Sequence, residues 1–390
     1  MALTRKENNV AAHVDNEELE INTEPELNTE IGPNWFASVM GTGIIANAAV
    51  GLPMVGQHLE QAGLVIWVIA SLMLMIMLLL KTLQTITNPH IIKRQFNDPV
   101  MAQFFGAPPM ALLTIAGGTL LFGHHFFAQD TLMTISWSLW ITGTIVGLMT
   151  AVIIPYRLFT HHEVRGDAAF GGWLMPVVPP MVSAAIGAMF IPHIQETILQ
   201  QTMLYACYAM FGTSLMAAMI ILTLIWGRLV HSGTSGGARV PTLWLVLGPL
   251  GQSITAAGAL GAVALAVVEQ PIAGSLNTMA ILYGVPVWGF AFYWSILASF
   301  LTLRALRRKM PFALTWWAFT FPVGTCVTGT TQLALHTGLP AFEWAAVILF
   351  AGLLCAWVIA AWGTIKGLKS GHIMKNPVSS PIIIAKKGPK

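Results

Sequence analysis

The sequence predicts an all-α integral membrane protein: ten transmembrane helices, paired as five helical hairpins in a pseudo-fivefold arrangement around a central pore. Three observations predict it. Of 390 residues, 55% are hydrophobic and 9% are charged. Soluble domains carry about 25% charged residues, so this chain cannot cover a water-facing surface. Five prolines, at 33, 109, 180, 249 and 322, recur at intervals of 76, 71, 69 and 73 residues, and a fixed period of self-similarity marks a repeated structural unit. Finally, the basic residues are confined to alternate connections between apolar stretches.

A bilayer core needs about 20 apolar residues per helix. Stretches of that kind run over 33–51, 63–81, 108–122, 132–154, 173–191, 203–226, 241–266, 274–303, 313–335 and 343–365. The third is short and is expected to extend back through Phe104 and Phe105. They form a transmembrane domain over 32–370. Before it, residues 1–31 hold eight of the 16 acidic residues and bury too little apolar area to fold, so they read as a disordered cytoplasmic tail. No signal-peptide pattern precedes the first span, which is expected to insert uncleaved. Residues 371–390 read as a second short cytoplasmic tail.

Orientation follows from charge. Beyond the first tail, Lys81, Lys93, Arg94, Arg157, Arg165, Arg228, Arg239, Arg304, Arg307, Arg308, Lys309, Lys366 and the C-terminal lysines all follow an even-numbered span. The odd-to-even connections hold no Lys or Arg. By the positive-inside rule both termini are cytoplasmic and the short hairpin turns lie outside, as expected of a multi-pass plasma-membrane protein. Each outer turn carries one acid (Glu60, Asp130, Glu196, Glu269, Glu343), and each even helix ends near a base (Lys81, Arg157, Arg228, Arg304, Lys366). Complementing the helix dipole explains this pattern; a negative outer ring and a positive inner rim that bias approaching ions is the functional alternative.

The five proline segments share a plan: PNWFASVMG at 33–41, PMALLTIAG at 109–117, PMVSAAIG at 180–187, PLGQSITAAG at 249–258 and PVGTCVTG at 322–329. Small and hydroxyl residues follow each proline. A proline inside a helix removes a donor and frees carbonyls, so Pro33, Pro109, Pro180, Pro249 and Pro322 are expected as helix kinks. Small residues also let membrane helices pack closely, and for one segment packing suffices. Five in register favour an inner ring around a path, lined by Ser38, Thr42, Thr114, Ser183, Gln252, Ser253, Thr255, Thr325 and Thr328, with the Leu- and Trp-rich even helices facing lipid. No Asp, Glu, Lys, Arg or His lies well inside a span, which argues against a buried carboxylate as proton carrier. The residue before each proline is Gly32, Pro108, Pro179, Gly248 and Phe321. The one bulky ring, Phe321, is either a packing residue or a plug.

At these residues the chain resembles the tellurite-resistance/dicarboxylate transporter family, which includes bacterial tellurite-resistance proteins, the yeast malate permease, the fungal sulfite efflux pump and the plant slow-type anion channel. The resemblance covers roughly 32–370. It rests on WFASVMGTG at 35–43, GPLGQS at 248–253 and WWAFTFP at 316–322. The connection from His90 to Pro109, with Phe96, Pro99, Phe105 and PPM at 108–110, is similar to the malate and sulfite branch. The resemblance implies ten helices around a pore, a homotrimer, a small anionic substrate, and a Phe on the ninth helix that occludes the path: Phe321, with Phe319 second. It leaves the anion open.

Other classes fit poorly. An intramembrane enzyme would need a base beside its nucleophile, and the spans offer only Ser, Thr and isolated Cys. All 11 histidines fall in tails or connections, so no haem or metal site and no cofactor is expected; the adjacent pairs His124-His125 and His161-His162 do not suit helical metal ligation. Cys207, Cys326 and Cys355 lack metal spacing, and a net charge of +3 does not point to nucleic acid. The expectation is a non-enzymatic transporter or channel for small anions, foremost C4-dicarboxylates such as malate or succinate. Sulfite or tellurite efflux is the alternative cargo, and a passive gated channel the alternative mode.

Overall fold

The computed structural model describes residues 30–371 apart from 163, 235 and 236, so the two expected tails lie almost wholly outside the described residues. Among these residues there is no strand. The helices are α1 (Phe36–Gly51), α2 (Gly56–Thr87), α3 (Pro89–Asn97), α4 (Ala107–Phe122), α5 (Gln129–Thr160), α6 (Pro179–Phe190), α7 (Thr197–Ser232), α8 (Leu247–Val267), α9 (Ile272–Arg307), α10 (Phe321–Thr337) and α11 (Pro340–Lys369). Five short helices thus each precede a long one, with α3 as an extra piece. That nine-residue amphipathic helix was read from sequence as a connection.

Among the described residues, seven helical runs are long and apolar enough to cross a membrane: α2, α5, α7, α9, α11, Met101–His125 and Gly237–Val267. They fall into two kinds. In the five long helices only 22–33% of the most apolar window is buried, against 78% and 67% in the other two. With no water in a bilayer core, a helix satisfies its own backbone and leaves its side chains to face lipid; Leu79, Leu282, Ile348 and Trp362 do so while more than half exposed. The remaining short helices, α1, α6 and α10, have 16, 12 and 17 residues and fall short of the length a regular α-helix needs.

Packing runs in a closed cycle. α1 rests on α4, α4 on α6, α6 on α8, α8 on α10, and α10 again on α1. Each long helix packs against the short one before it and also against the next: α2 on α4, α5 on α6, α7 on α8, α9 on α10 and α11 on α1. Hairpin turns follow from local chemistry. Gly338 caps α10 in the left-handed region at φ 64°, where glycine meets no Cβ clash, and Pro340 opens α11 with its missing N–H at a position that needs none.

Before each short helix lies a 3₁₀ segment: Pro33–Trp35, Met101–Gly106, Gly171–Leu174, Gly237–Val246 and Leu314–Phe319. These five segments also touch in a closed cycle, each resting on the next and the last on the first. The approach is backbone on backbone. A Cβ on Gly106 would fall 1.9 Å from the Met175 carbonyl oxygen, and one on Gly171 would fall 1.7 Å from that of Thr242.

The prolines mark this change of helix type and are not interior kinks. Pro109, Pro180, Pro249 and Pro322 occupy the first three residues of their α-helices, and Pro33 opens the 3₁₀ turn before α1. In a first turn the N–H has no intrahelical partner to lose, so proline starts a helix there without breaking it. Prolines inside α-helices are found elsewhere, at Pro155 in α5 and Pro286 in α9.

The first repeat is also out of register with its proline. A Cβ on Gly41 would meet Thr320 Oγ1, and one on Gly324 would meet Ile44. The level of Phe321 on α1 is therefore near Gly41, about two turns beyond Pro33, and Gly32 is not its counterpart.

Candidate functional site

The inner faces of α1, α4, α6, α8 and α10 and the 3₁₀ segments beneath them define the candidate path. The five short helices contain no Asp, Glu, Lys or Arg. Apart from His336 in the last turn of α10, their polar content is mainly hydroxyl and amide, and most of it is buried: Ser38, Thr42, Thr114, Ser183, Gln252, Ser253 and Thr325 are all at most 4% exposed. Thr255 and Thr328 are half-buried.

Hydrogen bonds sort these residues. Ser38, Thr114, Ser183 and Ser253 donate to carbonyls three or four residues back on their own helices, at Trp35, Met110, Pro179 and Leu250. That pattern satisfies a hydroxyl locally. Thr42 does the same with Ser38 and accepts the indole N–H of Trp357 at 3.0 Å, which turns it toward the long helix α11. Thr325 lies against three carbonyls, Pro322 at 2.7 Å and Leu247 and Gly248 at 3.3 Å, and so stitches the start of α10 to the start of α8. Thr255 and Thr328 meet across α8 and α10 at 2.7 Å. Of the nine hydroxyl and amide candidates, this pair alone remains partly accessible.

Two amides have unpartnered carbonyls. Gln252 is 3% exposed and its Oε1 has no hydrogen-bond partner among the described residues. Asn47, missed in the sequence, is half-buried on α1; its Nδ2 donates to the Thr114 carbonyl at 3.0 Å and its Oδ1 is unpartnered. It lies 14 residues past Pro33, outside any window anchored on the prolines. The free group at each is a carbonyl oxygen, an acceptor; only an amide N–H would favour an anion, and that of Asn47 is given to the Thr114 carbonyl.

Phe321 is the first residue of α10, 2% exposed within the main core cluster, at the junction of 3₁₀ segment and α-helix. Phe319 sits elsewhere. Its ring meets Trp244 and Trp316 edge-on, with centroids 5.4 and 5.7 Å away. It lines an apolar crevice of about 590 Å³ bounded by α9 and α11. The second gate candidate therefore faces the long helices, because the 3₁₀ turn separates it from Phe321.

The charged ends are partly structural. Lys81 Nζ donates to the Ile31 carbonyl at 2.9 Å and to Gln95 Oε1 at 2.5 Å, while Arg94 pairs with Glu30. Glu30 and Ile31, the last residues of the expected tail, are thus already fastened to α2 and α3. Arg157 donates to Asn97 and lies 4.6 Å over the Phe96 ring. Arg239 lies 5.7 Å over Phe170, and Arg228 is only 6% exposed. Beside Arg157, burial, reinforced by that cation's charge, pushes the His162 imidazole below its ordinary pKa. Of the acids at the hairpin turns, Glu60, Asp130, Glu196 and Glu269 are exposed and Glu343 is half-buried.

Four histidines placed by sequence in connections lie on α-helices: His58, His90, His231 and His336. The long helices overrun the bilayer width, and α10 runs two residues past the expected span. His336 thereby enters the last turn of a short helix, where its Nδ1 lies 2.8 Å from the Gln332 carbonyl.

The described residues form an all-helical, multi-pass membrane protein whose short helices are neutral and hydroxyl-rich. The chain belongs to the SLAC1 family, described as voltage-dependent anion channel, whose pattern matches residues 30–365. It is similar to a sulfite efflux pump of Trichophyton rubrum, 29% identical over 335 residues that cover 84% of this chain and 88% of that one. An uncharacterized transporter of Methanocaldococcus jannaschii is 24% identical, covering 89% and 97%. The malic acid transport protein of Schizosaccharomyces pombe is 20% identical, covering 84% and 76%. The family and these relatives are transporters and channels, not enzymes.

Proposed function

We propose that this protein carries small anions across the plasma membrane through the axis of the short-helix ring, with sulfite as its cargo. The observation that carries the reading is the closed cycle of five short helices free of Asp, Glu, Lys and Arg. On this reading the helices make ten crossings as five hairpins around a pseudo-fivefold axis, both termini are cytoplasmic, and three copies assemble as the resemblance implies. The transport domain spans 32–370. Helices α1, α6 and α10 cross despite their length because their 3₁₀ segments, rising about 2.0 Å per residue, complete the span inside a protein sheath.

The wall would bind weakly. Hydroxyls and amides offer dipoles in place of a fixed cation, so an anion meets no salt bridge to escape. Thr255 and Thr328 line the path, Ser38, Thr114, Ser183, Gln252, Ser253 and Thr325 hold its shape from behind, and Phe321 closes it at the helix-type junction. With the cell interior negative, each exported charge gains about 2.3 kcal/mol per 100 mV, so export needs no coupled ion while uptake does.

Sulfite takes precedence over the C4-dicarboxylates expected from sequence because sulfite efflux pumps are similar at 28–29% identity over most of both chains, against 20% for the malic acid transport protein. Malate is retained as the second cargo on that likeness. Counterflow in proteoliposomes with labelled sulfite, malate, succinate and tellurite tests the assignment. Sulfite exchange above protein-free vesicles is expected; exchange of malate alone transfers the assignment to dicarboxylates, and exchange of none refutes anion transport.

A further inference from the structure

We propose that Glu60, His124 and His125 form a binding site for a divalent transition-metal ion of the zinc class, at the end of the molecule where α2 begins and α4 ends. Backbone geometry alone does not pair adjacent histidines, since neighbouring side chains diverge by about 100° on an α-helix and about 120° on a 3₁₀-helix. At the 3₁₀ turn Gly123–His125 that closes α4, the two imidazoles nevertheless lie side by side with centroids 4.1 Å apart. Glu60, on the second turn of α2, faces them: its Oε1 lies 3.7 Å from His125 Nε2.

One donor atom from each of the three residues lies within 4.8 Å of the others. Zinc holds nitrogen and oxygen ligands at about 2.0–2.2 Å, so tetrahedral donors sit roughly 3.4 Å apart. Closing that gap takes small rotations of three exposed side chains. Two imidazoles and a carboxylate suit zinc, and one position remains for water.

The platform beneath is stiff. Phe122 is fully buried, and a Cβ on Gly63 would fall 2.8 Å from its ring, so α2 rests directly on the end of α4. Trp67 covers Phe122 and Phe126 with centroids 6.1 and 6.0 Å away. Glu60 lies one turn before Gly63 on the same helix, which fixes its register against the histidine turn. The ion would therefore bridge a long helix to a short one and clamp the outer end of the first two hairpins. This site is independent of the cargo assignment.

The test is Zn²⁺ titration of the full-length, tag-free, chelator-stripped protein in detergent, followed by calorimetry and by thermal unfolding. Saturable one-to-one binding with a raised unfolding midpoint is expected, weakened by an order of magnitude in Glu60→Gln and abolished in the double variant His124→Ala/His125→Ala. Mg²⁺, which prefers oxygen ligands, should not compete. Because all three side chains are exposed, the variants should unfold with wild-type midpoints in chelator. Absence of saturable binding to the wild type, or wild-type affinity in the double variant, overturns the proposal and leaves the His125–Glu60 contact as a plain surface ion pair.

Discussion

Gly251 brings α8 against the backbone of α10, and replacing it with alanine tests how rigid the inner ring is. A Cβ at this position would stand 2.4 Å from the Cys326 backbone nitrogen and 2.5 Å from the Thr325 carbonyl carbon, where ordinary contact begins at 3.4 Å. Both are main-chain atoms, so no rotamer change relieves the clash. The helices must separate by about 1 Å, as judged from that ordinary contact distance. Such a shift would stretch the Thr325 bonds to Leu247 and Gly248, already 3.3 Å, past useful length. Overpacking of this kind costs about 1–3 kcal/mol, offset by about 0.5–1 kcal/mol from replacing glycine in a helix.

The matched control is Gly289→Ala on α9, where nothing lies within 4 Å of the added carbon. Comparing the two variants cancels the propensity gain and isolates the overpacking cost of about 1–3 kcal/mol. Thermal unfolding in detergent, read by tryptophan fluorescence, should place Gly251→Ala below wild type and Gly289→Ala at or above it. A Gly251→Ala protein as stable as the control would mean that α8 and α10 are not locked together, and the ring would lose its strongest wall.

The other predictions concern the path and the pH response. Phe321→Ala should raise sulfite flux in proteoliposomes; because truncating a buried Phe also costs about 3–5 kcal/mol, flux must be normalised to folded protein, and unchanged flux would remove Phe321 as the gate. Thr255→Cys and Thr328→Cys should react with a water-borne thiol reagent, while Thr42→Cys, facing Trp357, should not; sealing of the first two would mean the path is absent. His162 is held below its ordinary pKa. The unfolded chain therefore binds more protons between the folded and unfolded values, and stability falls as pH drops through and below about 6.5. His162→Gln should flatten the change in unfolding midpoint between pH 7 and pH 5, and an equal slope in both proteins would place the titrating group elsewhere.

Hydropathy was enough to locate the five long helices, because α2, α5, α7, α9 and α11 are apolar almost all round, while α3 was hidden in a connection. What hydropathy cannot report is which way a hydroxyl turns. Thr42 and Thr328 look alike in sequence, yet one accepts from Trp357 and the other meets Thr255. Prolines were legible as a repeat but not as helix starts, since a missing N–H looks the same at a first turn and at a kink until the preceding 3₁₀ segment is seen. Pro33 misled most. It opens a turn two turns short of its supposed equivalents, and the offset hid Asn47. The pairing of Glu60 with His124 and His125 was invisible because it depends on a three-residue turn and on a contact across 64 positions.

Gly106 and Gly171 put peptide group against peptide group, with no side chain between as a cushion. The cycle of 3₁₀ segments is therefore a rigid collar at these contacts, its spacing set by atomic radii and not by adjustable rotamers. Bilayers of different thickness tilt membrane helices, whereas the spacing of peptide groups at these contacts has no slack to yield. Even one methyl group added at either glycine should be felt around the whole circumference.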